Sequence, residues 1–193
     1  MKKSLRALMF LFIFTIVCGV IYTATVTAYA QLFFDEEANG SLLENEQSSR
    51  LLAQFNQDEK YLWGRIMIVD SSTYQDEEGN PLAYGVASNL SPASDEYEAI
   101  VVERVDYIQS HHPTKSEEPI PVDLVTVSGS GLDPSISIAA ANYQLDRLAT
   151  ENQLSKEEVQ ALFDRHTTKP FLSVFGEATV NVTAINAELQ KRK

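Results

Sequence analysis

The sequence predicts a mixed α/β domain, of the α+β kind, held outside the cytoplasm by one N-terminal transmembrane helix. Three observations predict it. From Ala7 to Phe34 there is no Asp, Glu, Lys, Arg or His, and an apolar run of that length marks a bilayer span. Beyond it, stretches with apolar residues three and four apart alternate with short apolar segments that suit strands. Clusters of Gly, Pro, Asn and Asp punctuate them. The 193 residues therefore divide into a cytoplasmic N-terminus (1–6), a transmembrane helix (7–30) and one extracytoplasmic domain (31–193).

The span comes first. Ala7 to about Ala30 would extend roughly 36 Å as a helix at about 1.5 Å per residue, more than the roughly 30 Å of bilayer hydrocarbon, so one tilted helix fits. Lys2, Lys3 and Arg6 precede it, whereas Asp35, Glu36 and Glu37 follow, and the next basic residue is Arg50. The positive-inside bias then keeps the N-terminus in the cytoplasm and exports the rest. On these residues a cleaved signal peptide is the alternative. The start is basic and Ala28-Tyr29-Ala30 is a small-x-small sequence, although the apolar run exceeds the usual 7–15 residues of a signal peptide. Gly19, Thr23 and Thr27 recur every four residues with Ala24 and Ala28 beside them. That gives one small helix face, suited to close packing against another helix in lipid.

The exported part holds all 27 acidic residues and all of the 15 basic ones except Lys2, Lys3 and Arg6. A domain so acidic repels nucleic acid and anionic lipid and gathers cations, and the same charge also serves solubility. Cys18, within the span, is the only cysteine, so no intramolecular disulfide forms and the domain rests on its core.

Along that domain, Asn39-Gly40-Ser41 reads as a turn, followed by a polar stretch to about Gln57. Tyr61 to Val69 is apolar and aromatic enough for a strand. Asp76 to Pro81 is a loop by composition, and Ala83 to Ser94 is rich in small and turn-forming residues. A helix begins after Ser94, which caps it, with Asp95 and Glu96 complementing its dipole. Tyr97, Ile100, Val101, Val105 and Ile108 form its apolar stripe, and Pro113 stops it beyond His111 and His112. Thr114 to Pro121 is a solvated connector, and Val122 to Val127 a short strand leading into the loop Ser128–Pro134. The next helix runs from about Ser137 through Thr150 with Ile138, Ala141, Leu145 and Leu148 on one side. Another opens at Ser155 with Glu158 three residues on, a capping box, and Val159, Leu162 and Phe163 as its apolar side. After Phe171, Val174 and Phe175, Thr179 to Ile185 alternates like a strand.

Few segments suggest chemistry. In Ser128-Gly129-Ser130-Gly131-Leu132-Asp133-Pro134 the glycines allow backbone N–H groups to approach an anion, and a helix starting after Pro134 would add its dipole. The loop lacks the Gly-Lys-Ser/Thr of a phosphate-binding loop and the Gly-x-Ser-x-Gly of a nucleophile elbow. A tight strand-to-helix turn explains it as well. His111 and His112 are adjacent and point about 100° apart on a helix, so they do not share a metal ion, and His166 suits the end of a helix. No catalytic set and no metal site are predicted. Asn39, Asn89 and Asn181 begin glycosylation sequons, which arise easily by chance.

The run from Pro121 through Ser128-Gly129-Ser130-Gly131-Leu132-Asp133-Pro134-Ser135-Ile136-Ser137, with Ala139-Ala140-Ala141 and Tyr143-Gln144, resembles the signature of the C subunit of potassium-transporting ATPases, the KdpC family. Ala38–Leu42, Ala87–Pro92, and the stretches His166–Pro170, Phe175–Glu177 and Val180–Asn186 resemble other parts of the family. The likeness runs through most of the chain, span included, which favours a retained anchor over a signal peptide. Ile66-Met67 after Trp63-Gly64-Arg65, and Tyr84-Gly85-Val86, depart from the family's pattern.

The resemblance implies an accessory subunit in a bacterial cell membrane complex, with a channel-like potassium-translocating subunit and a P-type ATPase subunit as partners. Potassium is the transported ion, and the phosphorylated aspartate belongs to the ATPase partner. The family is also described as a catalytic chaperone that raises its partner's affinity for ATP. Ser128, Gly129, Ser130, Gly131, Leu132, Asp133, Pro134 and Gln144 are then the candidate nucleotide or subunit contacts, with no nucleotide bound tightly. The topology conflicts with direct contact to cytoplasmic ATP, so an effect on affinity would pass through the complex. The other readings are an anchored extracellular binding module and an anchored hydrolase.

Overall fold

The computed structural model describes residues 2–43 and 48–192. It divides into two compact units, residues 1–42 and 43–193. The first is helical. Helix α1 (Lys2–Phe14) passes through a π-helical stretch (Thr15–Tyr22) into α2 (Thr23–Phe33), and a short α3 (Asp35–Ala38) follows. Lys3–Phe33 is long and apolar enough to cross a membrane, covering about 46 Å at about 1.5 Å per residue. The wider turn is visible in the threonines. Thr15 and Thr25 hydroxyls donate to carbonyls four residues back (Leu11, 2.8 Å; Ile21, 2.7 Å), whereas Thr23 reaches five back to Cys18 at 3.3 Å. Such wide turns in helices often mark functional positions, and this one contains Gly19 and runs up to Thr23. Asn39 and Gly40 make the expected turn, Gly40 at φ +93°, a region glycine enters freely.

The second unit mixes helix and sheet. Strands β1 (Val69–Gln75) and β2 (Pro81–Gly85) form an antiparallel hairpin with Val69 opposite Gly85 and Gln75 opposite Pro81. Its turn is tied by Asp76, whose carboxylate accepts from the N–H groups of Glu78 and Asn80 and from Asn80 Nδ2. Next comes α4 (Asp95–His111), opened as predicted by Ser94, whose hydroxyl accepts from Tyr97 N–H. Of its stripe only Ile108 is fully buried. A three-stranded antiparallel sheet places β5 (Thr179–Asn181) between β3 (Ser135–Ser137) and β4 (Thr167–Thr168). Helices α5 (Ile138–Tyr143), α6 (Leu145–Asn152), α7 (Lys156–Arg165) and α8 (Val182–Lys191) pack around it. The core joins Ile136 and Val180 of the sheet to Leu148, Leu162, Phe163 and Ile185 of the helices, with Leu62 and Trp63 between them. The capping box of α7 forms as read, Ser155 and Glu158 each bonding the other's backbone N–H.

Five expectations are corrected. Tyr61–Val69 is not a strand until its last residue, Val69, where β1 begins. Its backbone at Leu62 and Trp63 is satisfied by side-chain amides, and its one bridge, Ile66 to Val127, is isolated. Val122–Val127 is likewise not a strand, since Val122–Leu124 is a 3-10 turn that points Leu124 into the core. The helix expected over 137–150 breaks at Gln144, whose N–H bonds Ala141 in a tight turn, and Ile138 at its start is exposed. In 179–185 only three residues are extended. Asn181 then caps α8 by accepting from Ala184 N–H, so alternation gives way to helical burial of Val182, Ile185 and Leu189. Nor does a helix begin directly after Pro134: β3 intervenes, and Ser137 caps α5.

Candidate functional site

Two neighbouring features contain the residues singled out above, the loop Ser128–Pro134 and the buried amide of Gln144. The loop closes on itself. Gly131 N–H donates to the Ser128 carbonyl (3.2 Å), Leu132 N–H to Ser130 Oγ (3.2 Å) and Asp133 N–H to Ser128 Oγ (3.4 Å). The Asp133 carboxylate accepts from Ser135 N–H at 2.9 Å and lies 3.9 Å from Arg65. Gly131 sits at φ +73°, and a methyl group on it would overlap the Val86 carbonyl oxygen and come within 2.9 Å of that of Ile68. Only glycine satisfies both demands. Gly85 is pressed against Leu132 and the Ser130 carbonyl in the same way. At Gly129, by contrast, a methyl group would meet nothing within 4 Å among the described residues. Thus Tyr84-Gly85-Val86 is the surface on which the loop packs. A shallow cleft of about 420 Å³ opens beside it, between Leu51 and Leu52 on one wall and Arg65, Ser128 and Pro134 on another.

Gln144 does not line that cleft. It is fully buried, and its amide is spent on the chain at Trp63: Oε1 accepts from Trp63 N–H (2.9 Å) and Nε2 donates to the Trp63 carbonyl (2.9 Å). Nε2 also donates to Ala140, and Oε1 also accepts from Arg147 Nη2 at 2.7 Å. All four hydrogen-bonding positions of the amide are used. Asn186 on α8 repeats the device one residue earlier, accepting from Leu62 N–H (2.8 Å) and donating to its carbonyl (2.9 Å). Two helices thereby supply what a neighbouring strand would.

Arg147 and His112 extend the network. Arg147 lies over the Trp63 ring, 3.9 Å from its centroid, and donates to the carbonyls of Glu59 and Tyr61. Burial pulls its pKa down to about 10. His112 Nδ1 bonds the Ile108 carbonyl (2.8 Å) while Nε2 faces Arg147 Nε (3.2 Å). Only the neutral ring with its proton on Nδ1 satisfies both contacts. Burial, followed by the charge of Arg147, lowers its pKa to about 4. His111 instead bonds the Tyr107 carbonyl at 2.8 Å and meets the Trp63 ring edge-on. His166, with Arg165 and Arg192, surrounds Glu188. Partial burial opposes ionisation of Glu188, but hydrogen bonds from these three outweigh it and hold its pKa near 2.

A second cavity, about 290 Å³, lies between α4 and the segment Gly64–Met67, with Arg65, Arg104 and Tyr107 among its walls. Composition did not point to it, although Arg65 stands in the Trp63-Gly64-Arg65 run. Arg104 is held by the Leu124 carbonyl (2.9 Å) and lies over the Tyr107 ring. The helix-packing candidates Gly19, Thr23, Ala24, Thr27 and Ala28 are all exposed on the helix of the first unit.

The family model of KdpC, the c chain of K+-transporting ATPase, matches residues 4–191. The chain belongs to the KdpC family. A KdpC subunit of Clostridium perfringens is 52% identical over 98% of this chain and 97% of its own length. One from Herpetosiphon aurantiacus is 40% identical over 97% and 95%, and one from Paraburkholderia xenovorans 38% over 100% and 99%. Membership in the KdpC family thus extends through the apolar helix, the Ser128–Pro134 loop and both amide clamps. Ile66 and Val86, from the two segments expected to depart from the family's pattern, both lie beside the loop, Ile66 bridging Val127 and Val86 meeting Gly131.

Proposed function

We propose that this chain is the accessory C subunit of a bacterial ATP-driven potassium uptake pump, needed for the assembly and activity of the complex. The observation that carries this reading is the family match from residue 4 to residue 191, span and globular unit together. The span, residues 7–30, anchors it in the cell membrane with residues 1–6 in the cytoplasm and 31–193 outside. Lys2, Lys3 and Arg6 before the helix and Asp35, Glu36 and Glu37 after it support that orientation. Its partners are a channel-like potassium-translocating subunit and a P-type ATPase subunit, and the small face from Gly19 to Thr27 packs against a partner helix.

Raising the ATPase partner's affinity for ATP is then an indirect effect, a coupling free energy carried through the complex. Two observations support the indirect route. Gln144 has no bond to give up without stripping the Trp63 backbone. The N–H groups of residues 131–133 are engaged within the loop, beside the carboxylate of Asp133, so these residues do not fit the phosphates of a nucleotide. The loop serves as a subunit contact instead, with Gly129 open to a close approach. The acidic surface near the outer mouth of the potassium path concentrates cations, an effect that salt screens within about 10 Å at 0.1 M.

Two measurements test this. The tagged chain, extracted in mild detergent, should bring down two larger membrane proteins. A cysteine at the exposed hairpin turn, Glu77→Cys, should react with a membrane-impermeant maleimide in intact cells. Recovery of the chain alone would defeat the assignment; labelling only after lysis would reverse the orientation and reopen direct nucleotide contact.

A further inference from the structure

Between β4 and β5 the chain makes a tight hairpin tip. Phe171 and Phe175 bridge each other, Phe171 N–H donating to the Phe175 carbonyl (2.8 Å) and Phe175 N–H to that of Phe171 (2.9 Å). Val174 N–H bonds Phe171 and Ser173 N–H bonds Pro170. Yet the side chains of Phe171, Leu172, Val174 and Phe175 are 71, 71, 76 and 65% exposed. Leu172 and Ser173 also lie at φ +52° and +60°, a region that costs non-glycine residues strain. A strained turn that presents four apolar side chains to water makes no sense as packing, because the core of its own unit does not receive them.

We propose that this tip inserts into the lipid surface of the membrane that the chain already spans. Three further observations favour lipid over a protein groove. The donors at Phe171, Ser173, Val174 and Phe175 are satisfied within the hairpin, which is what backbone entering hydrocarbon requires. From His166 to Gly176 the chain carries Lys169 and no acid, within a domain that holds all 27 acids, while Arg165 just before it is paired with Glu188. With no carboxylate to oppose it, Lys169 suits the anionic headgroups that the acidic surface as a whole repels. The span, covalently continuous with the domain, keeps the bilayer at high effective concentration, so that a small apolar tip suffices for a second hold. The proposal rests on residues 7–30 spanning the membrane, but not on the identity of the pump, nor on which face the domain occupies.

The test uses the full chain, Cys18→Ala, in vesicles of neutral or part-anionic phospholipid, with an environment-sensitive fluorophore on Ser173→Cys or, as control, Glu77→Cys. Resistance of the chain to alkaline extraction checks the span independently. At Ser173 the emission should shift to the blue and be quenched by spin-labelled acyl chains, increasingly with anionic lipid; at Glu77 it should do neither. Phe171→Asp, whose side chain leaves no core contact behind, should cut the inserted fraction about tenfold or more, with the Glu77 signal and the circular dichroism unchanged. Lys169→Glu should abolish the dependence on anionic lipid. A water-like, unquenched Ser173 probe in the correctly inserted chain overturns the proposal. So does a blue shift that appears only when larger partner subunits are present and ignores the lipid quencher, which would make the tip a protein contact.

Discussion

Replacing Gln144 by methionine isolates the role of the buried amide. Methionine has nearly the same length and is tolerated in cores, so packing of α5 against the Trp63 segment is kept while the hydrogen bonds are lost. The Trp63 N–H and carbonyl, both paired at 2.9 Å with the amide, are then left in the core beside an arginine that has lost an acceptor. Each unpaired buried group costs about 1–3 kcal/mol, so the variant should lose about 4 kcal/mol, against total stabilities of about 5–15 kcal/mol. For a unit of this size that is a fall of about 10–15 °C in Tm. The assay is thermal circular dichroism of the full chain in detergent, following the loss of near-ultraviolet signal from Trp63. A Tm within about 2 °C of the parent would refute the reasoning. If that variant also abolished the partner's response to ATP, Gln144 would be a contact and not a clamp.

Gly131→Ala forces both a left-handed backbone and overlap with the Val86 carbonyl, and should cost about 3 kcal/mol or block folding, while Gly129→Ala changes stability by about 0.5 kcal/mol or less; urea titration compares them. His112 should impose a pH dependence whose sign follows from its lowered pKa. The unfolded chain takes up a proton near pH 6.5 and the folded one near 4, so stability is complete above about 6.5 and lost as pH falls. With screening at the edge of the site the loss is about 1–2 kcal/mol by pH 5, and His112→Gln should flatten it. Glu188, held near 2, contributes only as pH falls below its ordinary value of 4.5, which separates the two. Gly19→Leu should reduce recovery of the partner subunits from mild detergent; unchanged assembly would remove the small face from the contact.

Local signals located the elements whose ends are chemically marked. Ser94, the Ser155–Glu158 pair and Pro113 fix helix limits through backbone groups a few residues away, and the span needs only apolar length. What escaped depends on partners far along the chain. Tyr61–Val69 looks like a strand because it is apolar and aromatic, yet only Leu62 and Trp63 are buried, and the ladder there is replaced by Gln144 and Asn186, 81 and 124 residues away. The β1–β2 hairpin escaped for the opposite reason: six of the seven residues of β1 are exposed, so no alternation marks it. Gly131 was visible as a glycine, but its reason, the approach of Val86 and Ile68, belongs to tertiary packing. The cavity between Arg65 and Arg104 likewise exists only once α4 meets the Trp63 segment.

The strongly shifted groups bear on what kind of protein this is. A catalytic acid or base needs a perturbed pKa together with a face open to substrate. His112 has both nitrogens engaged; Arg147 spends its guanidinium on two carbonyls, an amide and an imidazole; Glu188 is enclosed by Arg165, His166 and Arg192. Their shifts come from holding chain segments together. Trp63 is the pivot of this arrangement, clamped through its backbone and covered by Arg147. Two residues on, Arg65 bonds Thr126 and Val127 and approaches Asp133 in the loop. Force on the loop therefore passes through Arg65 and the Trp63 backbone to Gln144, Arg147 and Asn186, that is, to the α5–α6 junction, α6 and α8, and the indirect coupling proposed above requires such a connection.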